Sequence, residues 1–538
     1  MAHGDYSLDW AHTKLENAVK KYEQLHPTKA QFVRMGRTSG WFKPAVLVIK
    51  GKRHVYRAYT QPLSGVRREL YETAVAGEFP VARDYGVTEL SVSHADLVMF
   101  QASMKWNLKR EVKMANAEAS VFDLAKKTIR ETENDFTTQT NAALFQPSTC
   151  QMAVVDTPYM HTSSTTGAWT TWGDGAMGGA GHEPIYIKIK NGASAQFMPN
   201  MIIDIYRSGT KLHQAIVHYV EHGENSPWCG GSRTAGAGPG IICEPCAADG
   251  SITSGTGYNS LWYSTLTSGT NDSSEPQDGD VIVRSGEYAT GASAKNFHGL
   301  ADWFNTTIDC WRDNDTGAVI DREAAANNWM NPQVFIPDGA SAGSEVEFEI
   351  EEHLAEMEDV LPNFLDFSRN DRVKLNQDLP SGSEERMEVT EALTFVTYTK
   401  MVNHIVRSNG SESQQFTSTA KLSLSAEQRN KLFARSGFDG FVYHSPSLPP
   451  IAFQADPMCP PHVAYLIEPN SFRWLADAEA GPKAVQYVPM GRGRFDNVLG
   501  DNGRPTFYIQ AAAHCSVGLM NDQPQVNVKF DHIKSSRE

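Results

Sequence analysis

Hydrophobic and polar positions alternate most regularly between residues 98 and 107. Val98, Phe100, Ala102, Met104 and Trp106 fall at every second position, with Met99, Gln101, Ser103, Lys105 and Asn107 between them. A period of two sends successive side chains to opposite faces of a strand, so this stretch predicts one face on packed protein and the other toward water or a partner. The period then changes. Met114, Ala117, Val121, Leu124, Thr128, Thr132 and Phe136 recur every three or four residues, in a stretch free of Gly and Pro until Pro147. This pattern predicts an amphipathic helix from about Val112 to Phe145. At 1.5 Å per residue it would be about 45–50 Å long, a one-sided beam against which something flat should lie.

Elsewhere the pattern is weaker. Residues 1–35 read as a polar helical segment ending near Pro27, and Ala45–Ile49 as a short apolar strand. From there to about 106 the chain is strand-like, punctuated by Pro62, Gly65, Gly77, Pro80 and Gly86. Residues 150–210 read as mixed strands and Gly-rich loops. Residues 222–294, poor in apolar side chains and rich in Gly, Ser and Thr, read as an inserted surface domain or long loop. Further on, the pattern predicts an acidic amphipathic helix at Glu345–Glu358, strand-like runs at Glu388–Val406, a short helix at Ser425–Arg435, and strands at Thr506–Leu519 and Val526–Ile533.

A chain of 538 residues has room for about three domains, or one core with large insertions. With 40% hydrophobic and 21% charged residues it is neither a disordered polyelectrolyte nor a coiled coil. The best apolar runs, Ala45–Ile49 and Met201–Ile205, are strand-length and far short of the ~20 residues of a membrane helix. No apolar signal segment stands at Met1, and seven cysteines are an odd, sparse set that fits a reducing cytosol. The net charge of −15 is uneven. Residues 1–60 carry eleven basic side chains against four acids, a net +7, which leaves −22 for the rest. A basic arm of this kind can bind nucleic acid or the acidic surface of an identical neighbour.

The search for chemistry is nearly empty. Gly339-Ala-Ser341-Ala-Gly343 matches the G-x-S-x-G spacing of a nucleophile elbow. However, Pro337 and Asp338 precede the turn and an acidic segment follows, as in an ordinary flexible loop. His218, His222, Cys229, Cys243 and Cys246 have the spacing of soft ligands that could converge on one tetrahedral zinc in the Gly-rich insertion. The same residues read equally as free thiols and unrelated histidines, and no other cofactor is expected. Asp313-Asn-Asp315-Thr-Gly317 lacks the glycine and glutamate of a calcium loop and reads as a turn. No phosphate-binding glycine motif occurs in a strand–helix setting.

The order of elements is more telling: basic arm, two-stranded excursion, spine-like helix ending at Ala142-Ala-Leu-Phe145, large body, final strands. It resembles the major capsid proteins of tailed bacteriophages, the Hong Kong 97 type of shell protein. Local sequence carries the likeness further. Gly299-Leu-Ala-Asp-Trp303, Gly317-Ala-Val-Ile-Asp321-Arg322 and Asn328-Trp329-Met-Asn331 are similar to a run in many phage capsid proteins. In that run a Gly-Leu pair leads into Gly-x-x-x-Asp-Arg and a tryptophan. Leu424-Ser-Ala-Glu-Gln-Arg429, Gly437-Phe438, Val442-Tyr443, Pro450-Ile-Ala-Phe-Gln-Ala-Asp456, Pro460, Tyr465-Leu466-Ile467 and Asn470 continue it.

The resemblance implies an α+β, Hong Kong 97-like capsid fold. It divides into an N-terminal arm at 1–55, an E-loop hairpin at 56–106, and a peripheral P-domain with the spine helix at 107–195. An axial A-domain region follows at 196–490, with an inserted surface domain at about 220–295, and return strands at 491–538 complete the P-domain. The implied function is self-assembly into the hexamers and pentamers of an icosahedral or prolate head, a virion capsid built in the bacterial host cytoplasm. The implied partners are the chain itself, a portal protein, packaged double-stranded DNA held without sequence specificity, and a separate scaffolding protein and decoration or cement protein where these are used. Neither a membrane nor an enzymatic activity is implied. So short a segment before the hairpin leaves no room for a fused scaffold, and no Lys–Asn pair for self-crosslinking is identifiable. The expected contacts between subunits are Val98, Phe100, Met104 and Trp106 on the strand, with Arg53, Arg57, Arg67 and Arg68 on the arm and loop. An encapsulin-like nanocompartment shell would share the fold; a β-rich hydrolase using Ser341 is the reading from another class.

Overall fold

The computed structural model describes residues 43–46, 48–50, 53–60, 90–93, 98–107, 118–159, 185–221, 239–248, 250, 276–289, 295–308, 310, 319, 321–323, 331–341, 344–349, 353, 393–397, 416–417, 442–443, 451–468, 471–476, 486–490, 508–521 and 524–534. Strands β1 (Lys43–Val46), β2 (Val48–Lys50), β3 (Arg53–Thr60), β4 (Leu90–Ser93) and β5 (Val98–Asn107) precede helix α1 (Glu118–Phe145). Then come β6 (Gln151–Tyr159), β7 (Ile185–Lys190), β8 (Ile202–Arg207), β9 (Thr210–Glu221), β10 (Gly240–Pro245) and β11 (Val281–Arg284), followed by the single-turn helix α2 (Leu300–Trp303). The last part holds β12 (Gln333–Phe335), β13 (Leu393–Thr397), β14 (Phe416–Thr417), β15 (Val442–Tyr443), β16 (Ile451–Ala455), β17 (Ala464–Ile467), β18 (Phe472–Ala476), β19 (Gln486–Met490), β20 (Tyr508–Asn521) and β21 (Val528–Phe530). The fold class is α+β and mostly β.

Helix α1 ends where the sequence predicts, at Phe145 before Pro147, and residues 112–117 lie outside the described ones. Its 28 residues span about 42 Å. Over the described side chains, Thr132, Phe136, Thr140 and Asn141–Phe145 are buried, while Glu131, Asn134 and Asp135 are exposed. One stripe of the beam therefore lies on the body, as the three-to-four spacing requires. The Asn296 amide caps its last turn, donating to the carbonyls of Ala143 (3.0 Å) and Pro147 (3.2 Å).

Among the described residues the body has two layers of sheet and a barrel. A mixed seven-stranded sheet runs β12-β21-β17-β13-β16-β15-β14, with β13 parallel to β16 and β12 parallel to β21. Phe145 of α1 packs on Tyr465 of β17, with ring centroids 6.2 Å apart, and Phe304 packs on the same ring at 5.1 Å. A second sheet joins β1, β18, β20, β19 and β5. Its Trp474 meets Phe297 edge-on at 5.4 Å, so one core, including Leu144, Leu300, Trp303, Val396 and Leu519, serves both sheets and the helix end.

The barrel is closed in the order β10-β7-β6-β11-β8-β9. Its interior holds Ala153, Val155, Ile187, Ile189, Ile203, Ile205, Ala215, Val217, Ile241, Cys243 and Ile282. Two of these strands, β10 and β11, come from the segment at about 220–295 that the sequence reads as an inserted surface domain. Residues 240–245 and 281–284 supply two barrel walls, hydrogen-bonded to strands from 151–221. Closing the ring removes the edges that six separate strands would expose. Residues 222–238 and 251–275 lie outside the described ones.

The acidic helix expected at Glu345–Glu358 is also corrected over its first turn. Residues 345–348 are not helical: Val346 bridges Ile533, its N–H donating to the His532 carbonyl at 3.1 Å, and helical bonding is seen from Glu349, whose carbonyl accepts the His353 N–H at 2.9 Å. Phe348 is buried among Phe395, Phe530 and His353, while Glu347 and Glu349 are exposed. Val346 and Phe348 follow a period of two that the run of glutamates hides. The helix expected at 425–435 lies outside the described residues.

A polar staple fixes the helix to the seven-stranded sheet. The Asn141 amide donates to both oxygens of Asp456, at 3.1 and 3.0 Å, and Asp456 also accepts the Met458 N–H at 2.9 Å. Both residues are buried. Replacing Asp456 with Asn sets an amide donor against the Asn141 donor, and a buried hydrogen bond to a charged group is worth about 1.5–3 kcal/mol. The expected result for Asp456→Asn is a urea midpoint lowered by a corresponding amount with the slope unchanged. An unchanged midpoint would rule out the staple as a stabilising contact.

Candidate assembly surface

The sheet that joins the first described strand, β1, to β18 and β20 also holds the predicted contact strand. β5 pairs antiparallel with β20 over ten residues, Val98–Asn107 against Tyr508–Val517. The positions grouped by alternation, Val98, Phe100, Ala102, Met104 and Trp106, stand opposite Val517, Cys515, Ala513, Ala511 and Ile509. The intervening positions stand opposite Ser516, His514, Ala512, Gln510 and Tyr508. Cross-strand pairing thus joins apolar or small residues to the apolar set along the whole ribbon, and mostly polar ones to the other. Fourteen residues of β20 at about 3.4 Å each reach about 48 Å.

Val98 and Phe100 are half-buried against the chain's own core, with Phe100 6.4 Å from Phe297. Met99, 54% exposed, and Gln101 face outward. Met104 and Trp106 hold the register positions given above, and their side chains lie outside the described residues, as do those of Arg53 and Arg57 on β3. Arg67 and Arg68 lie outside them altogether. The sequence reading put the contact strand in the excursion hairpin. The antiparallel pairing within 48–93 is instead β2-β3-β4, and β5 satisfies its backbone on β20. At the other end of the chain, β1 adds to β18 in parallel, Lys43 opposite Arg473 and Val46 opposite Ala476. A second apolar patch sits on β12, an edge of the seven-stranded sheet, where Val334 and Ile336 are exposed.

Of the candidate zinc ligands, Cys243 and Cys246 are both buried, unbridged thiols near one another, and His218 stands apart from Cys243. Cys243 points into the barrel with Val217 and Ile241. His218, the next residue after Val217 on β9, turns to the other side of the wall and meets Glu244 at 2.9 Å. Neighbours in a strand face opposite ways, so these two cannot share a metal from these positions. Burial pushes the Cys243 thiol up, and the nearby Cys246 and Glu244 push it the same way. His222 and Cys229 lie outside the described residues, and among the described residues no three His, Cys, Asp or Glu side chains gather at metal-binding geometry. Ser341 is exposed in a tight turn, exchanging backbone hydrogen bonds with Ser344 at 3.1 and 2.9 Å. Gly339, at φ +78°, lies in the turn just before it, where the Ala340 N–H donates to the Pro337 carbonyl at 3.0 Å. This is hairpin geometry, not a strand–helix elbow. Asp313–Gly317 lie outside the described residues.

One group matters more than its motif indicates. The Arg322 side chain is 0% exposed, and its guanidinium donates to the carbonyls of Ile308 (3.0 Å), Trp303 (3.0 Å), Asp302 (3.1 Å) and Asn305. Its own carbonyl accepts the Asn331 amide at 3.0 Å. In sequence it is one arginine in an Asp-Arg pair. Its role as the clamp of the loop after α2 rests on carbonyls 14 to 20 positions away.

No protein-family model matches the chain, and no curated protein matches it. Among solved structures the chain is similar to the capsid asymmetric unit of cyanophage A-1(L), at 12% identity and TM-score 0.25, over 45% of this chain and 61% of that one. It is similar to the satellite phage P4 procapsid that includes the size-determination protein, at 7% identity and TM-score 0.28, over 95% and 90% of the two chains. It is also similar to the holo-SrpI encapsulin complex of Synechococcus elongatus, at 11% identity and TM-score 0.18, over 40% and 59%. Overlaps with TM-scores this low do not establish a shared fold.

Proposed function

We propose that this chain is the shell-forming subunit of a phage-type head, a major capsid protein that assembles with its own copies into hexamers and pentamers around double-stranded DNA. The observation that carries this reading is the β5–β20 ribbon. A ten-residue register joins the strand before the beam helix to the strand near the end of the sequence, with apolar or small residues at every position of one set. Its inner end is anchored in the core through Val98 and Phe100. A ribbon about 34 Å long, covered on one set of positions by apolar residues, supplies area for the head-to-tail contacts that close rings. The basic first sixty residues, at +7, complement a remainder at −22, which sets register and association rate between copies more than raw affinity. The element order and the Gly-Leu, Asp-Arg and Tyr-Leu-Ile runs support the Hong Kong 97-like arrangement of arm, P-domain and A-domain. A portal protein, with scaffolding and decoration proteins where these are used, completes the proposed assembly.

The test is assembly itself. Full-length chain on size exclusion and in negative-stain microscopy should give capsomer rings, shells or tubes, and Met104→Asp should reduce the assembled fraction about tenfold. A charge forced into a desolvated contact costs several kcal/mol, far more than tenfold requires. The urea midpoint of the variant's subunit should stay at the wild-type value. A monodisperse monomer at every concentration tried would sink the proposal.

A further inference from the structure

The seven-stranded sheet has an open edge built from two pieces of chain. β12 pairs in parallel with β21, the Gln333 N–H donating to the Asn527 carbonyl at 3.1 Å and the Asp531 N–H to the Phe335 carbonyl at 3.0 Å. Further on, the chain returns to the same side of the last strand, where the Val346 carbonyl accepts the Lys534 N–H at 2.8 Å. β17 and His462 hold the other side. Alternate residues of a parallel strand bond to opposite sides, so the Val334 N–H and carbonyl turn outward, where no described strand lies. Val334 and Ile336, 45% and 50% exposed, stand on the face opposite Phe335, whose ring packs on Phe530 at 5.6 Å. Native proteins blunt an open edge with charge or cover it, and valine and isoleucine here call for a cover. Charge selects the cover. Residues 333–349 carry four acids, Asp338, Glu345, Glu347 and Glu349, and no base. Residues 43–60 carry five bases, Lys43, Lys50, Lys52, Arg53 and Arg57, and no acid. Within that basic segment β2 is itself an edge, of the three-stranded sheet β2-β3-β4, whose other edge, β4, has no charged residue.

We propose that β2 of a second copy of this chain adds to β12 as a parallel strand and closes this edge. The proposal rests on the shell reading and names one of its contacts. Its direction follows from the order of residues. The edge runs from apolar to acidic, Val334 and Ile336 before Glu345 and Glu347. β2 runs from Val48 and Ile49 to Lys50, and its antiparallel pairing with β3 places Lys50 opposite Arg53, so the chain turns back at a basic tip. Only the parallel direction sets apolar beside apolar and aims that tip at the acidic end. The chain's own β2 is held elsewhere: Leu47 alone separates it from β1, which is bound to β18 in the other sheet. Main-chain hydrogen bonds give such a contact its attraction, and the charges give it direction and choice of partner. Three residues a side are too few to hold two copies alone, so the contact acts as one of several that each subunit makes. The two surfaces differ, so the contact runs head to tail and repeats from copy to copy.

The experiment mixes two full-length single variants, Ile49→Cys and Val334→Cys, with copper–phenanthroline as oxidant, and reads disulfide-linked dimers on a non-reducing gel. Neighbouring strands lie about 4.8 Å apart, within the reach of a disulfide. The mixture should give about tenfold more dimer than either variant alone, because only the mixed pair places two thiols side by side in one contact. The yield should fall as salt is raised. Charge reversal reads the same contact without a crosslink. Glu347→Lys with Glu349→Lys should lower the assembled fraction about fivefold, and adding Lys50→Glu with Arg53→Glu to that chain should restore it to within about twofold of wild type. The crosslink needs no charge variant, so it decides the matter even if the reversed chains fail to fold. No mixed dimer from a chain that assembles overturns this proposal and leaves the shell reading standing. No mixed dimer from a chain that stays monomeric at every concentration overturns both.

Discussion

Arg322→Lys should cost the protein a large part of its stability, although charge and stem length are nearly kept. The guanidinium is fully buried and its planar set of donors reaches four backbone carbonyls, those of Asp302, Trp303, Asn305 and Ile308. An ammonium has three donors radiating from one point and cannot match a fork of five. Each buried carbonyl left without a partner costs about 1–3 kcal/mol, and a buried charge robbed of its hydrogen bonds adds to that. A loss of about 3–5 kcal/mol is therefore expected, against a total of about 5–15 kcal/mol for ordinary proteins. Urea unfolding followed by tryptophan fluorescence reads it, because Trp303 lies in the same core. Arg284→Lys, at an exposed ion pair with Glu287, is the control and should change stability by less than about 0.5 kcal/mol. Arg322→Lys falling within that same margin would show that the clamp is dispensable.

Gly299→Ala should be as damaging, for a reason of space alone. The backbone at Gly299 is extended, φ −81° and ψ −174°, a conformation any residue adopts. A Cβ there would lie 2.2 Å from the Gln146 carbonyl oxygen, 2.6 Å from that of Leu144 and 2.9 Å from that of Ala143. All three are main-chain atoms at the end of α1, so no side chain can turn aside. The helix end would have to lift from Leu300 and Trp303, and overpacking of this kind costs about 1–3 kcal/mol or more. Gly339→Ala is the contrasting case. Its φ is +78° but nothing lies within 4 Å of the added carbon, so only the left-handed conformation, about 1–2 kcal/mol, opposes it. Equal midpoints for Gly299→Ala and wild type would show that the crossing of helix and loop is looser than the structure has it.

The two positions also show how local patterns and distant contacts divide the fold. Alternation over 98–107 and the three-to-four spacing before Pro147 located β5 and the end of α1, because each follows from which face of one segment is apolar. The same logic misread the start of that helix at 345–348, where glutamates flanking Val346 and Phe348 suggested a solvated helix and residues 532–534 instead supply a parallel neighbour. Composition misread 240–245 and 281–284 in another way. Each is a short strand set among Gly, Ser and Thr. In β10 every residue is buried, so no alternation marks it. Spacing is silent in a related way about His218 and Cys243, because sequence distance does not say on which side of a barrel wall each falls.

By itself, then, the sequence determined the elements whose signal is contained in one segment: the ribbon strand, the beam helix and its stop, the basic beginning and the acidic remainder. It also carried the motif glycine and arginine, without saying what they do. The tertiary structure alone decided that β5 pairs with β20, that the barrel closes through 240–245 and 281–284, and that Arg322 clamps four carbonyls. These outcomes depend on pairings between residues far apart in the chain, where register and packing, not local periodicity, set the free energy.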